Sequence, residues 1–575
     1  MSKKLNDNAM LLSGDEALAR GAYEEGLMVA ASYPGTPASE ILEYLSRFKE
    51  VDAQWSINEK VAFEVALSSS IGGLRSLYAS KHVGLNVAMD PLMTSSYIGV
   101  GAGFIIVTAD DPGIHSSQNE QDNRLIAEVA KIPLLEPSSP SEAKEFAKTA
   151  FKISEDFDTP VIIRITTRIA HTKEDVEIES RKEVPAKDFK IDIPKYVMVP
   201  KNAYKRRIEI EKRLTRLKEC SENSPFNRIE LNDKKIGFIA SGVSYLYAKE
   251  MYPRASFLKI GFGFPFPEAK AIEFSRKVKE VFVIEELEPF LERKIKELGI
   301  KFKARHPSYR IGELRPEYMP DIIKGAEKKE EPGTTRKPVM CPGCPHRSVF
   351  FTLKKLKAVV TGDIGCYTLG ALPPLGALHT CLCMGAGITF FEGFKKALKK
   401  NVVGVIGDST FVHTGIPGLI NLAYNKTKGL IIILDNSTTA MTGNQPHPAT
   451  GVTIKGEPTK KLILEDICKA CGADNVDVID PHKVKYFEDS VKKRIDEEAL
   501  SVIIARSGCA LIEKKKGPRP SCKKENCKKC YLCLSIDCPA LTKSADGFIN
   551  IDEELCVGCN LCVETCSLNA IVKNA

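Results

Sequence analysis

The sequence predicts a multi-domain α/β protein that ends in a short cysteine-rich module. Three observations indicate this class. Apolar strand-like runs alternate with helical stretches through most of the chain, 575 residues suffice for about four domains, and nine of the 18 cysteines lie between Cys522 and Cys566. Strand–helix alternation is typical of parallel sheets covered by helices on both faces.

The composition is that of an ordinary folded protein. Hydrophobic residues make up 43% of the chain, charged residues 27%, and the net charge is +8. We find no arginine-rich tract with interleaved aromatics, so nucleic acid is not an expected partner. No apolar run reaches the ~18–20 residues of a membrane span, and Met1–Ala9 is polar. We therefore expect a cytoplasmic protein whose cysteines bind metal rather than form disulfides.

The first part of the chain shows the alternation clearly. Leu27–Tyr33, Ile105–Thr108 and Val161–Ile165 are predicted strands, and Ser39–Phe48 and Lys60–Ser70 are predicted helices. These elements make up a first α/β domain.

Later composition shifts divide the rest of the chain. After the charged stretch Arg206–Lys218, a second α/β unit begins near Lys235 and includes a strand at Val281–Ile284. The hydrophilic run Lys324–Lys337 marks its end. The predicted domains are residues 1–195, 196–330, 331–516 and 517–575.

The terminal cysteines form two groups of equal spacing. Each group reads C-x2-C-x2-C and is followed by a fourth, more distant cysteine; the groups are Cys527, Cys530, Cys533 with Cys538, and Cys556, Cys559, Cys562 with Cys566. Three thiolates at this spacing bind one iron–sulfur cube, and the remote thiolate usually serves the other cluster. Zinc binding is the alternative.

This segment resembles bacterial two-cluster 4Fe-4S ferredoxins over about 50 residues, which implies an α+β module. The resemblance implies one cluster on Cys527, Cys530, Cys533 and Cys566, and another on Cys556, Cys559, Cys562 and Cys538. Two features depart from the pattern: four residues precede Cys538 where three are usual, and Ser567 replaces a proline. Cys522 is a spare thiol that leaves the ligand set open.

A second motif lies at the ends of two predicted strands in the third α/β domain. The apolar run Val402–Gly407 is followed by Asp408, and Leu430–Leu434 is followed by Asp435 and Asn436. Ligands of doubly wound sheets bind at the carboxyl ends of strands. Side-chain oxygens there suit Mg²⁺, which often shares them with phosphates.

This motif resembles the thiamine-diphosphate signature, which begins Gly-Asp-Gly and closes with asparagine. The resemblance implies that Gly407, Asp408, Asn436 and Thr438 bind the cofactor, with Asp408, Asn436 and the Thr438 carbonyl on Mg²⁺. Ser409 departs from the third position. An ordinary strand-end turn is the alternative.

A thiamine-diphosphate site also needs a carboxylate for the pyrimidine ring, normally from a second domain. Glu59 follows the predicted strand Ala53–Ile57 and opens a helix, so we predict that it favours the imino tautomer by a hydrogen bond to N1′. A solvated glutamate at a helix start is the alternative.

The strand-to-helix loop Tyr33–Glu40 offers a hydroxyl and backbone N–H groups to an anion. It resembles the Tyr-Pro-x-Thr-Pro-x-Ser loop of 2-oxoacid:ferredoxin oxidoreductases, which implies that Thr36 faces a substrate carboxylate. His82 and His115 lie nearby and are interpreted as loop histidines. Arg124 is interpreted as a surface arginine.

Together these motifs resemble the large (alpha) subunit of the indolepyruvate ferredoxin oxidoreductase family over nearly the whole chain. The resemblance implies two thiamine-diphosphate domains, a transketolase C-terminal-like domain between them, and the ferredoxin module. It implies oxidative decarboxylation of aryl 2-oxoacids with coenzyme A to aryl-acetyl-CoA, CO₂ and reduced ferredoxin. A smaller beta subunit and ferredoxin are the implied partners.

Three alternatives stay open: another 2-oxoacid specificity, a non-oxidative thiamine-dependent decarboxylase, and a pure electron carrier. A third cluster is a further prediction. Cys341, Cys344, Cys366 and Cys509 resemble, in order and context, the proximal-cluster ligands of pyruvate:ferredoxin oxidoreductases. Buried structural thiols are the alternative. A flexible-looking linker predicts that the terminal module lies too far from the thiamine for a direct first hop.

Overall fold

The structure is a computed structural model that describes residues 8–329, 338–398, 401–513 and 517–574. The chain divides into two compact units, Met1–Pro332 and Gly333–Ala575. No helix in the described ranges is both long and apolar enough to cross a membrane.

The strands of the first unit are β1 (Ala9–Ser13), β2 (Val29–Ser32), β3 (Asp52–Trp55), β4 (Ser76–Lys81), β5 (Phe104–Asp110), β6 (Leu134–Leu135), β7 (Val161–Thr166), β8 (Lys173–Glu177), β9 (Arg228–Glu230), β10 (Asp233–Ser241), β11 (Ala255–Ile260), β12 (Phe262–Phe264) and β13 (Glu280–Ile284).

Its helices are α1 (Gly14–Glu24), α2 (Ser39–Leu45), α3 (Glu59–Ile71), α4 (His82–Val87), α5 (Met89–Ile98), α6 (Arg124–Ala130), α7 (Pro140–Phe157), α8 (Thr167–His171), α9 (Ile193–Tyr196), α10 (Pro200–Asn223), α11 (Gly242–Met251), α12 (Glu268–Lys277), α13 (Phe290–Glu297) and α14 (Met319–Lys324), with 3-10 turns at Pro307–Arg310 and Pro316–Tyr318.

A seven-stranded sheet organises the start of this unit, in the order β12-β6-β7-β5-β4-β2-β3. Strands β2 to β7 run parallel, and every residue of β5 and β7 is buried. Such apolar, β-branched runs suit strands covered on both faces. The carboxyl ends of β3, β2 and β4 therefore lie side by side along one edge.

The seventh strand comes from a distant part of the chain. Strand β12 pairs antiparallel with β6, although it lies within the predicted second domain. The rest of that domain forms a four-stranded sheet in the order β13-β10-β11-β9. The charged stretch Arg206–Lys218 lies within helix α10, which begins at Pro200.

The strands of the second unit are β14 (Val359–Thr361), β15 (Val402–Gly407), β16 (Gly429–Asp435), β17 (Asn475–Ile479), β18 (Leu500–Arg506), β19 (Pro520–Cys522), β20 (Leu541–Lys543), β21 (Ile549–Ile551) and β22 (Ile571–Lys573).

Its helices are α15 (His346–Lys355), α16 (Ala386–Ala397), α17 (Asp408–Thr410), α18 (Ile416–Tyr424), α19 (Leu464–Ala470), α20 (Val484–Asp496) and α21 (Leu561–Thr565), with 3-10 turns at Cys366–Ala371, Ala440–Thr442 and Leu532–Ile536 and a π-helical turn at Phe411–Gly415.

A five-stranded parallel sheet carries the second unit, in the order β14-β15-β16-β18-β17. Gly407, the last residue of β15, is in register with Leu434 near the end of β16. Because the two strands are neighbours and parallel, the residues that follow them meet at one edge of the sheet.

The cysteine-rich module packs directly on this sheet domain. Ile536 and Leu561 of the module belong to the same buried apolar cluster as Val349 and Leu353 of helix α15. The linker therefore does not hold the module away from the sheet domain, while the distance between the module and the thiamine stays a prediction. Apolar side chains of the module, which its short strands cannot bury alone, are covered by α15 and its neighbours.

Candidate active site and electron-transfer site

The carboxyl edge of the five-stranded sheet brings Asp408 and the residues after β16 together. The backbone N–H of Ser437 donates to Asp408 Oδ2 at 2.9 Å. Asp408 is buried, and burial raises the pKa of its carboxyl, while the nearby His447 side chain acts in the lowering direction. His447 Nε2 lies 3.3 Å from Asp408 Oδ2.

Asn436 and Thr438 occupy the facing turn and are also buried. The backbone N–H of Thr438 donates to Asn436 Oδ1 at 3.3 Å. In the described residues, no three His, Cys, Asp or Glu side chains converge on a single-ion site. A pair of side-chain oxygens with a backbone carbonyl instead suits Mg²⁺, which completes its shell with phosphate and water.

Gly407 is required by packing at this edge. A Cβ at residue 407 would lie 2.7 Å from Cε1 of the Tyr367 ring, which is buried beneath the strand end. The glycine of the predicted signature thus lets the strand end pass close to Tyr367 and sets the position of Asp408.

The other predicted half-site lies in the first unit. Thr36 and Glu59 follow the neighbouring parallel strands β2 and β3, and Lys81 ends β4 on the other side of β2. Asn58 caps helix α3 by accepting from the N–H of Val61 at 2.9 Å, which fixes Glu59 as the first helical residue. Three strand ends therefore place these side chains on one edge.

Glu59 is buried rather than solvated. A Cβ at Gly84, in helix α4, would lie 2.6 Å from Glu59 Oε1, so the glycine leaves room for the carboxylate. The structure therefore does not support the alternative of a solvated glutamate at a helix start. A carboxylate withdrawn from water at this edge suits a hydrogen-bonding role toward a buried ring.

The sequence motifs did not single out Lys81 as a candidate site residue. Its side chain donates to the carbonyl and hydroxyl of Ser116, whose own hydroxyl donates to the carbonyl of Thr36. Burial lowers the pKa of Lys81 to about 8, against the opposing effect of Asp111. This places a cationic side chain beside the Thr36 loop.

Two nearby predictions need correction. Arg124 is not a surface arginine, because its side chain is 1% exposed and forms ion pairs with Asp122 and Glu285 at 2.5 and 2.8 Å. Arg124 thereby connects helix α6 to the residue that follows strand β13. His82 is not a loop residue: it is buried, begins α4 and lies 3.1 Å from Asn119 Oδ1. His115 is half exposed.

Two cavities in the cysteine-rich module are lined by the two predicted ligand sets. One is lined by the middle thiol set, Cys538, Cys556, Cys559 and Cys562. The other is lined by the outer thiol set, Cys527, Cys530, Cys533 and Cys566. Each cavity thus takes its fourth thiol from the other sequence group.

Cys522 lies next to the outer set. Burial raises the pKa of its thiol, and the Cys527 and Cys566 thiols raise it further. Cys522 ends strand β19 and does not line the cavity of that set. The donor set of each cavity, four cysteine sulfurs, fits a thiolate-bound iron–sulfur cube.

The four cysteines of the predicted third cluster also lie close together, and we call them the inner thiol set. Burial raises the pKa of Cys344 to about 12 and of Cys366 to about 11, and thiols of the same set add to both shifts. Cys341 and Cys509 both act on Cys366. The backbone N–H of Cys509 donates to the Asn436 carbonyl at 3.1 Å.

The inner set adjoins the middle set on its other side. The backbone N–H of Gly343 counters the burial that raises the pKa of the Cys538 thiol. A Cβ at Gly343 would lie 3.5 Å from the Cys559 Cβ. The inner set therefore lies between the Asp408 edge and the middle set.

Comparison with known proteins matches the same three regions. Residues 20–218 match the family model "Pyruvate flavodoxin/ferredoxin oxidoreductase, thiamine diP-bdg", and residues 363–505 match "Thiamine pyrophosphate enzyme, C-terminal TPP binding domain". Residues 549–572 match "4Fe-4S binding domain".

Near-full-length relatives decide the family. Indolepyruvate oxidoreductase subunit IorA of Archaeoglobus fulgidus is 38% identical over 98% of this chain and 97% of its own length. The subunit of the same name from Pyrococcus horikoshii is 39% identical over the same shares. The chain belongs to the indolepyruvate oxidoreductase subunit IorA family. The predicted resemblance, the fold class and the assignment as an oxidoreductase are confirmed.

A more distant relative covers only part of this IorA family chain. The 2-oxoglutarate synthase subunit KorA of Archaeoglobus fulgidus is 26% identical over 55% of the chain and 98% of its own length.

The matches to the family models support binding of thiamine diphosphate and of 4Fe-4S clusters. The individual ligand residues stay predictions.

Proposed function

We propose that the chain is the thiamine-diphosphate-binding subunit of a ferredoxin-dependent oxidoreductase that acts on indolepyruvate and similar aryl 2-oxoacids. Coenzyme A is the proposed acyl acceptor, and aryl-acetyl-CoA, CO₂ and reduced ferredoxin are the proposed products. A smaller second subunit completes the enzyme. The similarity to IorA subunits over 98% of the chain supports the substrate class.

The hydrogen bond from Cys509 to Asn436 is the observation that most favours an oxidative reaction. It joins the thiol series to the edge that carries Asp408, and Gly343 joins the inner set to the middle set. A non-oxidative decarboxylase has no use for a series of one-electron carriers. A pure electron carrier has no use for the buried Asp408 and Glu59.

The residues of this chain have separate roles in the proposal. When bound, thiamine diphosphate supplies the nucleophilic carbon and the electron sink for loss of CO₂. Asp408, Asn436 and the Thr438 carbonyl hold Mg²⁺ on the diphosphate. Glu59 holds the pyrimidine ring by a charge-assisted hydrogen bond, and Thr36 orients the substrate carboxylate.

The three thiol sets then provide sites for one cluster each. Inner, middle and outer sets follow one another from the Asp408 edge to a module surface where Cys530 is exposed. With clusters bound, this order would provide a relay for electrons from the Asp408 edge to a ferredoxin that docks outside.

The test is anaerobic purification with the second subunit, followed by assay against a panel of 2-oxoacids. We expect ferredoxin or viologen reduction that requires coenzyme A, with indolepyruvate and phenylpyruvate outcompeting pyruvate and 2-oxoglutarate. Release of CO₂ without reduction of either acceptor would support the decarboxylase instead. A preference for 2-oxoglutarate would assign a different specificity.

A further inference from the structure

Arg347 is a fully buried arginine that connects the inner and middle thiol sets. It is the second residue of helix α15, three positions after Cys344. Its Nε donates to the Cys341 carbonyl and Nη1 donates to the Ile536 carbonyl, both at 3.1 Å. Further hydrogen bonds run from Nη1 to the Asp537 carbonyl and from Nη2 to the Met340 carbonyl.

These four acceptors are neutral, so they do not balance the charge. Within the described ranges, the carboxylate that approaches Arg347 to within 4.0 Å is that of Asp537, at 3.6 Å and partly exposed. Buried charges in proteins are paired or bind a charged group, since an isolated buried cation is costly. Asp537 is one such partner, and further negative charge close to the guanidinium, such as that of thiolate-bound clusters, would be stabilised there.

Arg347 contacts both neighbouring thiol sets. It lines the cavity of the middle set, together with Cys538, Cys559 and Cys562. On the side of the inner set, its Nε donates to the Cys341 carbonyl and its backbone N–H donates to the Cys344 carbonyl at 3.3 Å. The charge of Arg347 therefore lies beside two neighbouring ligand sets.

We propose that Arg347 is a positioning residue whose positive charge raises the reduction potentials of the clusters held by the inner and middle thiol sets. This inference rests on the proposed clusters. Each transfer oxidises the inner cluster by one electron and reduces the middle cluster by the same electron, so one negative charge moves from the inner to the middle cluster beside Arg347. Net charge and hydrogen bonding are among the properties that set cluster potentials, and a buried charge acts with little screening.

The experiment compares Arg347→Gln, Arg347→Lys and the control Arg519→Gln in the full chain with its second subunit. Arg519 lies in the cysteine-rich module that Arg347 contacts, but its side chain is 52% exposed. Iron content and redox titration followed by electron paramagnetic resonance are the measurements. For Arg347→Gln we expect reduction of the middle cluster to become at least ten-fold less favourable, a potential lower by about 59 mV. Arg347→Lys and Arg519→Gln should keep the wild-type value.

Each result of this experiment either supports or overturns the proposed role of Arg347. Wild-type protein without clusters would refute the proposed function itself. Native iron with an unchanged potential in Arg347→Gln would overturn the inference, as would equal shifts in the Gln and Lys variants. If Arg347→Gln does not assemble clusters, Arg347→Lys decides: native iron and potential support the charge role, and loss of iron there as well assigns Arg347 to packing alone.

Discussion

At the residue scale, the burial of Asp408 defines the diphosphate edge. A carboxylate with a raised pKa is stabilised when a divalent cation replaces the proton. We expect Asp408→Asn to weaken Mg²⁺–thiamine diphosphate binding by at least about ten-fold, because the substitution keeps the shape but removes the charge. Binding is measured by fluorescence titration, and the iron content should be unaltered.

Asp480 provides a matched control for that substitution. It follows strand β17 in the same sheet, as Asp408 follows β15, but β17 is the outermost strand and the Asp480 side chain is 42% exposed. Asp480→Asn should leave cofactor binding unchanged. Equal cofactor content in both variants would remove Asp408 from the proposed ligand set.

The Glu59 carboxylate is the second residue with a specific expectation. Glu59→Gln preserves size beside Gly84, so the cofactor should still bind. Deprotonation of the cofactor C2 should slow by ~10²-fold, within the range for general acid–base steps. Proton exchange at C2, followed by NMR, is the measurement.

Glu64 lies on the same helix, is 47% exposed and pairs with Lys60, so Glu64→Gln serves as the control. An exchange rate in Glu59→Gln as fast as in Glu64→Gln would rule out the proposed role of Glu59.

The placement of some of these residues could be predicted from the sequence, and that of others could not. Asp408 and Glu59 could be predicted because each follows an apolar run whose strand end is recognisable. Arg347 and Arg124 could not, since a charged residue gives no sign of burial until its distant partners are known. Ile536, which accepts from Arg347, is 189 positions away, and Glu285, the partner of Arg124, is 161 positions away.

At the element scale, the loop before helix α15 connects the inner and the middle thiol sets. We expect Cys366→Ser in the full chain to lose about four irons per chain, one cube's worth, because Cys366 is a predicted ligand of the third cluster. The two cavities of the module should stay loaded. Iron analysis of anaerobically purified protein is the measurement.

Cys468 is a buried thiol of helix α19, outside all three sets, and Cys468→Ser is the matched control. Iron content in Cys366→Ser equal to that of the control would show that the inner set holds no cluster. Full-length variants are needed, since truncation before the module would remove the Ile536 and Asp537 carbonyls that accept from Arg347.

Element prediction succeeded where the pattern was local. The runs at Val402–Gly407 and Val161–Ile165 became buried strands within a residue of the predicted bounds. The exchange of Cys538 and Cys566 between sets was implied by the resemblance to two-cluster ferredoxins, and the linings of the two cavities agree with it. Strand β12 escaped prediction, because three residues carry no periodicity and their partner β6 lies about 130 positions earlier.

At the scale of the whole molecule, we expect an acidic ferredoxin to dock at the exposed lysines of the module, with a solvated charge run as the alternative. Lys523, Lys524, Lys528 and Lys529 are exposed around the outer thiol set, whereas Lys514, Lys515 and Lys516 lie outside the described residues. Lys524 and Lys529 already contact Asp546. Lys528 lines the outer cavity and is the best placed to meet a partner.

We expect Lys528→Glu to slow ferredoxin reduction by about ten-fold at low salt, with a smaller effect at high salt, because screening weakens long-range attraction. Reduction of a small neutral viologen should be unaffected. Lys201→Glu, an exposed lysine of the first unit, is the control. A ferredoxin rate that is independent of both ionic strength and Lys528 would place the docking surface elsewhere.

The antiparallel pairing of β12 with β6 has a consequence for biosynthesis. During translation, residues 134–135 emerge well before residues 262–264, at about 5–20 residues per second. For several seconds the nascent sheet presents an open edge, the kind of surface that recruits foreign strands. A recombinant fragment that stops at residue 195 would keep that edge open permanently. We therefore expect fragments that include Phe262–Phe264 to stay monomeric where shorter ones aggregate.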